Sequence, residues 1–227
     1  MSSSNPWSKF EDRSIPSTLE LHSDIFKVLK KEDRIIDFGC GYGKTCFELV
    51  TKGYGSVIGV DINNNGIEYA QDHVRKNEIT GCRFSVENVA GLSFNDNSFT
   101  FGIMQAFLTT IPNEKDRKSI FSEASRVICP GGFLYIAEFT QSWDIPKYEK
   151  RYLSAISEGY EKGSFPVINS HTGELDYVAR HYTEKELTTL LTTENFKIET
   201  LQNEKFTTRT GNIVDGVVMI AKNARKT

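Results

Sequence analysis

The stretch IIDFGCGYGKT, residues 35–45, decides the fold: two β-branched apolar residues, an acid, then glycines at 39, 41 and 43. Ile35 and Ile36 suit a strand covered on both faces, which in parallel sheets reads as an unbroken apolar run. Asp37 follows at the carboxyl end, where open parallel α/β sheets hold their ligands. Gly39, Gly41 and Gly43 allow a sharp turn and a close backbone approach, because a residue without Cβ tolerates positive φ and leaves room. The N–H groups opening the next helix have no partner within it and attract a carboxylate or phosphate. The run therefore predicts a cofactor site at a strand-to-helix turn.

Outward from this turn, strands and helices alternate. A helix over about 44 to 52 leads to the strand SVIGVD, and a second helix carries Ile67, Ala70 and Val74 on one stripe. CRFSV and SFTFGIMQA read as further strands, and Asn113 caps a helix with Ile120, Phe121, Ala124, Val127 and Ile128 on its buried face. Pro130, Gly131 and Gly132 break it ahead of the strand GFLYIAEF, residues 132–139. Such alternation is what a parallel sheet with right-handed crossovers requires. Ahead of it, Ser17 and Glu20 form a capping box for a leading helix with Leu21, Ile25, Val28 and Leu29 on one side.

Residues 141–182 interrupt the pattern with a helix bearing Tyr148, Tyr152, Ala155 and Gly159, then the loop-rich GSFPVINSHTGELDYVARH. A second capping box, Thr183 with Glu186, opens a helix with Leu187, Leu190 and Leu191 inside. FKIETLQ and DGVVMIA close the chain as two antiparallel strands.

At 227 residues, 38% hydrophobic and 25% charged, the chain is long enough to bury one substantial core. A net charge of −3 gives no overall pull toward nucleic acid or a membrane. Cys40, Cys46, Cys82 and Cys129 are scattered without CxxC spacing, which reads as free thiols in a reducing compartment and suggests no metal site. MSSSNPWSKF carries no apolar signal region, so the cytoplasm is the expected location. Nothing in the sequence specifies an oligomeric state.

Spacing narrows the ligand. Dinucleotide enzymes favour GxGxxG, whereas here Gly43 arrives one place early and Lys44 follows. Asp61, ending the next strand in GVD, offers a carboxylate able to accept from both hydroxyls of a ribose. On these residues the chain resembles the class I S-adenosylmethionine-dependent methyltransferases over residues 34 to 139. IIDFGCGYG resembles the family's DxGxGxG turn, VIGVDI its ribose-binding strand end, VENVAGLSFNDNSFTFGIMQAFLTTI its acidic turn and fourth strand, and VICPGGFLYIAEF its PGG strand.

The resemblance implies an α/β Rossmann-like three-layer sandwich: a seven-stranded, mostly parallel sheet ordered 3-2-1-4-5-7-6, with an antiparallel last strand and a helical or loop lid. One methyltransferase domain would fill residues 1–227, its cofactor-binding core at about 30–140 and 183–223 and its acceptor lid at about 1–22 and 141–182. The implied cofactor is S-adenosyl-L-methionine, leaving S-adenosyl-L-homocysteine as product. Asp37, Gly39, Cys40, Gly41 and Gly43 would surround its methionine part, with Asp37 near the ammonium and Gln105 beneath the amino-acid end. Asp61 would hold the ribose, Ile62 would pack on adenine, Asn88 would accept from the adenine amino group, and Val89 would offer its N–H to the ring.

The expected reaction is methyl transfer to nitrogen, oxygen or carbon of a small-molecule acceptor. The alternatives are tRNA or protein methylation, a non-catalytic cofactor-binding subunit, and an NAD-dependent oxidoreductase, which Lys44 disfavours. Thr109 and Thr110 stand where many small-molecule members carry a histidine pair, and no Asn-Pro-Pro-aromatic run follows the fourth strand. Cys129 leads into the PGG turn and reads as structural. His171 and His181 are either acceptor-orienting bases or ordinary lid histidines, and Tyr182 is either an acceptor contact or packing. Tyr42 either borders the methyl group or faces solvent, and Trp7 and Phe10 could belong to a closing lid.

Overall fold

The computed structural model describes residues 19–169, 171–208 and 211–226. Ser17, Trp7 and Phe10 lie outside them. In chain order the elements are α1 (Ile25–Val28), β1 (Ile35–Phe38), α2 (Lys44–Thr51), β2 (Val57–Asp61), α3 (Asn64–Lys76), β3 (Cys82–Val86), β4 (Phe99–Gln105), α4 (Glu114–Val127) and β5 (Ile128–Phe139). There follow α5 (Pro146–Ser157), β6 (Ser164–Ile168), β7 (Leu175–Arg180), α6 (Glu184–Thr193), β8 (Phe196–Thr207) and β9 (Ile213–Asn223).

Seven strands form one sheet in the order β3-β2-β1-β4-β5-β9-β8. This is the expected arrangement; the numbers shift only because β6 and β7 precede the closing pair. β1 to β5 run parallel, and β9 lies antiparallel between β5 and β8. All four residues of β1 are buried, because helices cover both faces of the sheet's centre. One core face gathers Ile36, Phe38, Met104, Ile136 and the α4 stripe of Ile120, Phe121, Ala124 and Val127. The other gathers Ile35, Leu49, Val57, Ile67, Ala70, Ile103 and Tyr135.

Local chemistry sets the boundaries. The Asn113 side chain accepts from the N–H groups of Lys115 and Asp116, and Thr183 with Glu186 makes the full reciprocal capping box. Three expectations are corrected. The leading helix is a single turn, α1, preceded by Asp24 with no side-chain cap; upstream, tertiary bonds hold the chain instead, with His22 N–H on the Tyr135 hydroxyl. The fifth strand starts at Ile128, with Pro130, Gly131 and Gly132 inside it as an irregularity in its pairing with β4. The loop-rich stretch is an antiparallel hairpin, β6 with β7, in which Pro166 is tolerated because each strand is an edge.

The segment from α5 to β7 is a closed excursion. It leaves after Phe139 and returns at Tyr182, whose N–H donates to the Phe139 carbonyl while its own carbonyl accepts from Gln141 N–H. Two buried arginines pin it down. Arg117, on α4, reaches both oxygens of Glu161 at 2.9 Å, and Arg180, at the end of β7, reaches Glu161 at 3.0 Å and Glu186 at 2.6 Å. The Tyr182 ring sits beside both guanidiniums, and its hydroxyl donates to the carbonyls of Leu108 and Ile111. Replacing Arg180 with Met removes the counterion of Glu186 and one of the two that hold Glu161; urea unfolding is expected to show a loss of about 2 kcal/mol or more.

Candidate active site

Three consecutive amides fasten the glycine turn to the neighbouring strand. Gly39 and Cys40 both donate to the Val60 carbonyl, at 2.8 and 3.0 Å, and Gly41 donates to Oδ2 of Asp61 at 2.8 Å. Gly39 has a φ of 73°, and a Cβ added there would collide with the Phe107 ring. Glycine is required at this position both for the backbone angle and for the close approach. At Gly41 an added Cβ would meet nothing within 4 Å, so the turn presents bare backbone to open space.

Asp37 ends the buried run with only 2% of its surface exposed. The Cys46 thiol donates to its Oδ2 at 3.4 Å. Burial pushes the Asp37 carboxyl up to about 7 against that hydrogen bond, and the charge of Asp61 adds to the rise. Asp61 is raised by burial too, opposed by the N–H groups of Asn63, Gly41 and Ile62. A cationic ligand would hold both ionised. Asp61 accepts Asn63 N–H on Oδ1 at 2.8 Å, which leaves lone pairs on both oxygens for further donors.

Beyond Asp61, Ile62 is 45% exposed, and Val86, paired with Asp61 across the sheet, is 47% exposed. Both are exposed apolar residues at the carboxyl ends of neighbouring strands, a surface suited to a flat ring. Asn88 Oδ1 accepts Ala90 N–H at 2.9 Å and keeps a second lone pair, while Val89 packs its side chain into the core. Gln105 donates from Nε2 to the Leu19 carbonyl at 2.9 Å, and its Oε1 is buried with no partner. The Cys40 side chain turns inward, near the space a Cβ on Gly59 would occupy, so only its backbone is available to a ligand.

Tyr42 is buried, edge-on to Tyr69 with ring centroids 5.3 Å apart, and does not face solvent. His171 is exposed at the hairpin tip, its N–H held by Asn169. His181 is buried among Phe139, Tyr148 and Phe165, with Nδ1 2.7 Å from the Tyr152 hydroxyl. Tyr152 accepts Ser142 N–H, so its own proton is directed to Nδ1. Burial drives His181 down to about 3, which keeps the ring neutral. Tyr182 holds the turn after β4 with its hydroxyl, as described above.

Sequence reasoning missed Glu138. It ends the apolar run of β5 as Asp37 ends that of β1, and that parallel was the available signal. It is fully buried, accepts Phe139 N–H at 2.9 Å and Thr109 N–H at 3.0 Å, and is pushed up to about 8 by burial. It thereby fixes the 3-10 turn Leu108–Thr110, and with it the Phe107 ring that closes over Gly39.

The profile of the methyltransferase domain family matches residues 29–205. The chain belongs to this family, with the class I S-adenosylmethionine-dependent fold. A solved S-adenosylmethionine-dependent methyltransferase from Methanosarcina mazei is 42% identical, with 92% of this chain and 100% of that one covered and a TM-score of 0.88. The O-methyltransferase rstn1 of Aspergillus nomiae is 31% identical over 46% of each chain. The 27-O-demethylrifamycin SV methyltransferase of Amycolatopsis mediterranei is 30% identical over 49% of this chain and 40% of its own. The chain thus spans under half the length of these two curated relatives. Among the described residues, no helix of this methyltransferase domain is long and apolar enough to cross a membrane.

Its residues fit a donor carrying a sulfonium, an ammonium and a nucleoside: raised carboxylates for the positive charges, Asp61 for hydroxyls, and the exposed apolar side chains of Ile62 and Val86 for the base. Because the fold raises Asp37, the folded chain holds a proton that the unfolded chain has released between about pH 4 and about pH 7. Without added ligand, stability therefore falls as pH rises through that window. Thermal melts at about pH 5 and about pH 7.5 are expected to differ less for Asp37→Asn than for the unaltered chain. Gly39→Ala is expected to abolish cofactor binding in calorimetry, since neither φ nor the Phe107 ring accommodates a methyl group.

Proposed function

We propose that this chain transfers the methyl group of S-adenosylmethionine to a nitrogen, oxygen or carbon of a small molecule. The observation that carries the reading is the pair of raised carboxylates, Asp37 and Asp61, astride a glycine turn whose face at Gly41 is open. Such a site favours a ligand that is cationic and bears hydroxyls; a dinucleotide pyrophosphate, being anionic, would be repelled. The bound donor supplies an electrophilic methyl carbon on a positive sulfur that departs as a neutral thioether, so no acid is needed at the leaving group.

Asp37 and Gln105 hold the amino-acid end, Asp61 the ribose, and Ile62, Asn88 and Val89 the adenine. The acceptor is held by the excursion from α5 to β7. Its aromatic cluster, with Tyr148, Tyr152 and Phe165, packs on Ala106 and Phe139, which directly follow or end β4 and β5 on the ligand side. Catalysis rests on positioning, which is worth roughly 7–11 kcal/mol when reactants meet at near-attack geometry. The His181 ring, held near 3 and engaged by Tyr152, is poorly matched to proton abstraction at neutral pH. Its role here is to orient the acceptor wall in a neutral state, and an acceptor proton leaves to solvent. The names of the relatives, which include O-methyltransferases and arsenite methyltransferases, support a small acceptor.

Calorimetry with S-adenosylmethionine and with NAD divides the readings: binding of the sulfonium compound alone supports methyl transfer, and binding of NAD alone overturns it. Asp61→Ala is expected to cost about 10–100-fold in cofactor affinity, the worth of hydrogen bonds to a charged group. A transfer screen with methyl-labelled cofactor against metabolite and RNA pools is expected to label a small molecule. Label confined to RNA or protein would overturn the acceptor class, and cofactor binding with no transfer to either pool would favour a non-catalytic subunit.

A further inference from the structure

The imidazole of His181 is held in one orientation with one edge to spare. Phe139 stacks on it with ring centroids 5.6 Å apart, Tyr148 lies 5.3 Å away at a tilt of 33°, and Phe165 stands at 86° to it at 5.1 Å. Ser142 N–H takes a lone pair of the Tyr152 hydroxyl, whose own proton goes to His181 Nδ1. A neutral imidazole that accepts on Nδ1 carries its hydrogen on Nε2. Among the described residues Nε2 has no hydrogen-bond partner, and it is not one of the unpartnered polar atoms sealed in the interior, which are Gln105 Oε1, Arg180 Nε and Arg225 Nε. The ring therefore presents a fixed N–H donor to space that solvent reaches. It does so on the ligand side of the sheet, where Phe139 ends β5 and Ala106, next after β4, joins the same aromatic cluster.

A cation stands close by. The half-buried Arg151 guanidinium, on α5, lies 4.5 Å from the centre of the Phe165 ring and 5.7 Å from that of Tyr148. It has no ion pair or hydrogen bond with any described residue, and its charge is felt at His181, where it helps burial to keep the ring neutral. Two carboxylates of the neighbourhood are engaged already, Asp215 by Lys205 and Glu138 by the amides of Thr109 and Phe139. A neutral N–H donor and a cation without a counterion, set among aromatic rings, suit an oxygen that carries negative charge on a flat, conjugated body.

We propose that His181 Nε2–H and the Arg151 guanidinium receive the methyl acceptor as an oxyanion on an unsaturated body, the ionised form of a phenol, an enol or a carboxylic acid. The proposal rests on the methyltransferase reading. A hydroxyl acceptor loses its proton to solvent on binding, and a carboxylate arrives without one. The oxygen then forms its bond to the methyl carbon while the carbon–sulfur bond breaks, and that electron pair stays on sulfur as the neutral thioether. The imidazole takes no proton at any stage. It stabilises a nucleophile that is already ionised, a task that suits a ring too weakly basic to abstract a proton.

The test titrates the full chain, saturated with S-adenosylhomocysteine, with para-nitrophenolate and with benzoate, and in parallel with para-nitroanisole and methyl benzoate, their uncharged counterparts. At least one anion is expected to bind about tenfold or more tighter than its counterpart, the worth of hydrogen bonds to a charged group; the tighter of the two anions tells a hydroxyl acceptor from a carboxylate. His181→Phe and Arg151→Met are each expected to remove most of that preference and to leave S-adenosylhomocysteine affinity unchanged, with melting temperatures reporting folding. His181→Gln, whose amide N–H can stand in the place of Nε2–H, is expected to keep it. Arg151 is only half-buried, so its variant decides the matter even where His181→Phe fails to fold. Binding of neither anion, equal binding of charged and uncharged forms, or a preference that survives in the folded variants overturns the proposal. Failure of the unaltered chain to bind S-adenosylhomocysteine would instead overturn the methyltransferase reading, a result distinct from loss of the preference.

Discussion

The site depends on one clamp: the amides of Gly39, Cys40 and Gly41 all donate to the end of β2, two to the Val60 carbonyl and one to the Asp61 carboxylate. β1 is buried on both faces, and the backbone N–H groups where it leaves the sheet need partners, since leaving a buried one unpaired would be costly. Pairing them with β2 turns the chain sharply, orients Asp61 and leaves the open face at Gly41 toward the ligand side. α3 also depends on it, since Gly66 approaches the Gly41 carbonyl so closely that a Cβ would meet it at 2.8 Å. One set of backbone bonds therefore sets the turn, the Asp61 carboxylate and the helix behind them.

A second constraint acts at the far side of the same sheet edge. Glu138, buried at the end of β5, holds the turn after β4 by the Thr109 amide, and Tyr182 holds it from the other side through the Leu108 and Ile111 carbonyls. The excursion that carries Tyr182 is itself anchored by Arg117, Arg180 and Glu161. The turn after β4 and the excursion thus share one support. Phe107 lies against Gly39, so a shift of the excursion reaches the glycine turn through a ring contact and needs no long-range mechanism.

Much of the sheet was legible because its signals are local. The apolar runs of β1, β2, β4 and β5, the α3 and α4 stripes and the caps at Asn113 and Thr183 depend on neighbours in sequence. The readings that failed depended on distant partners. The leading helix shrank to one turn because Tyr135 and Gln105 hold the chain upstream of it. The stretch around Pro166 looked like loop because proline and glycine punctuate it, yet its alternation is that of a hairpin whose strands are both edges.

The sequence by itself determined the order of the seven strands of the main sheet and the helices between β1 and β5, the placement of Asp37 and Asp61 at strand ends and the family, since spacing and periodicity along the chain carry these. Only the tertiary structure decided which polar groups are buried and what faces them: the raised Asp37 over Cys46, the neutral His181 on Tyr152, Glu138 under the turn, and Lys44 with Gln105 on the Leu19 carbonyl. Burial and hydrogen-bond partnership are properties of residues brought together from separate elements. Here pairs such as Gln105 with Leu19, and Thr109 with Glu138, meet only once the sheet has assembled.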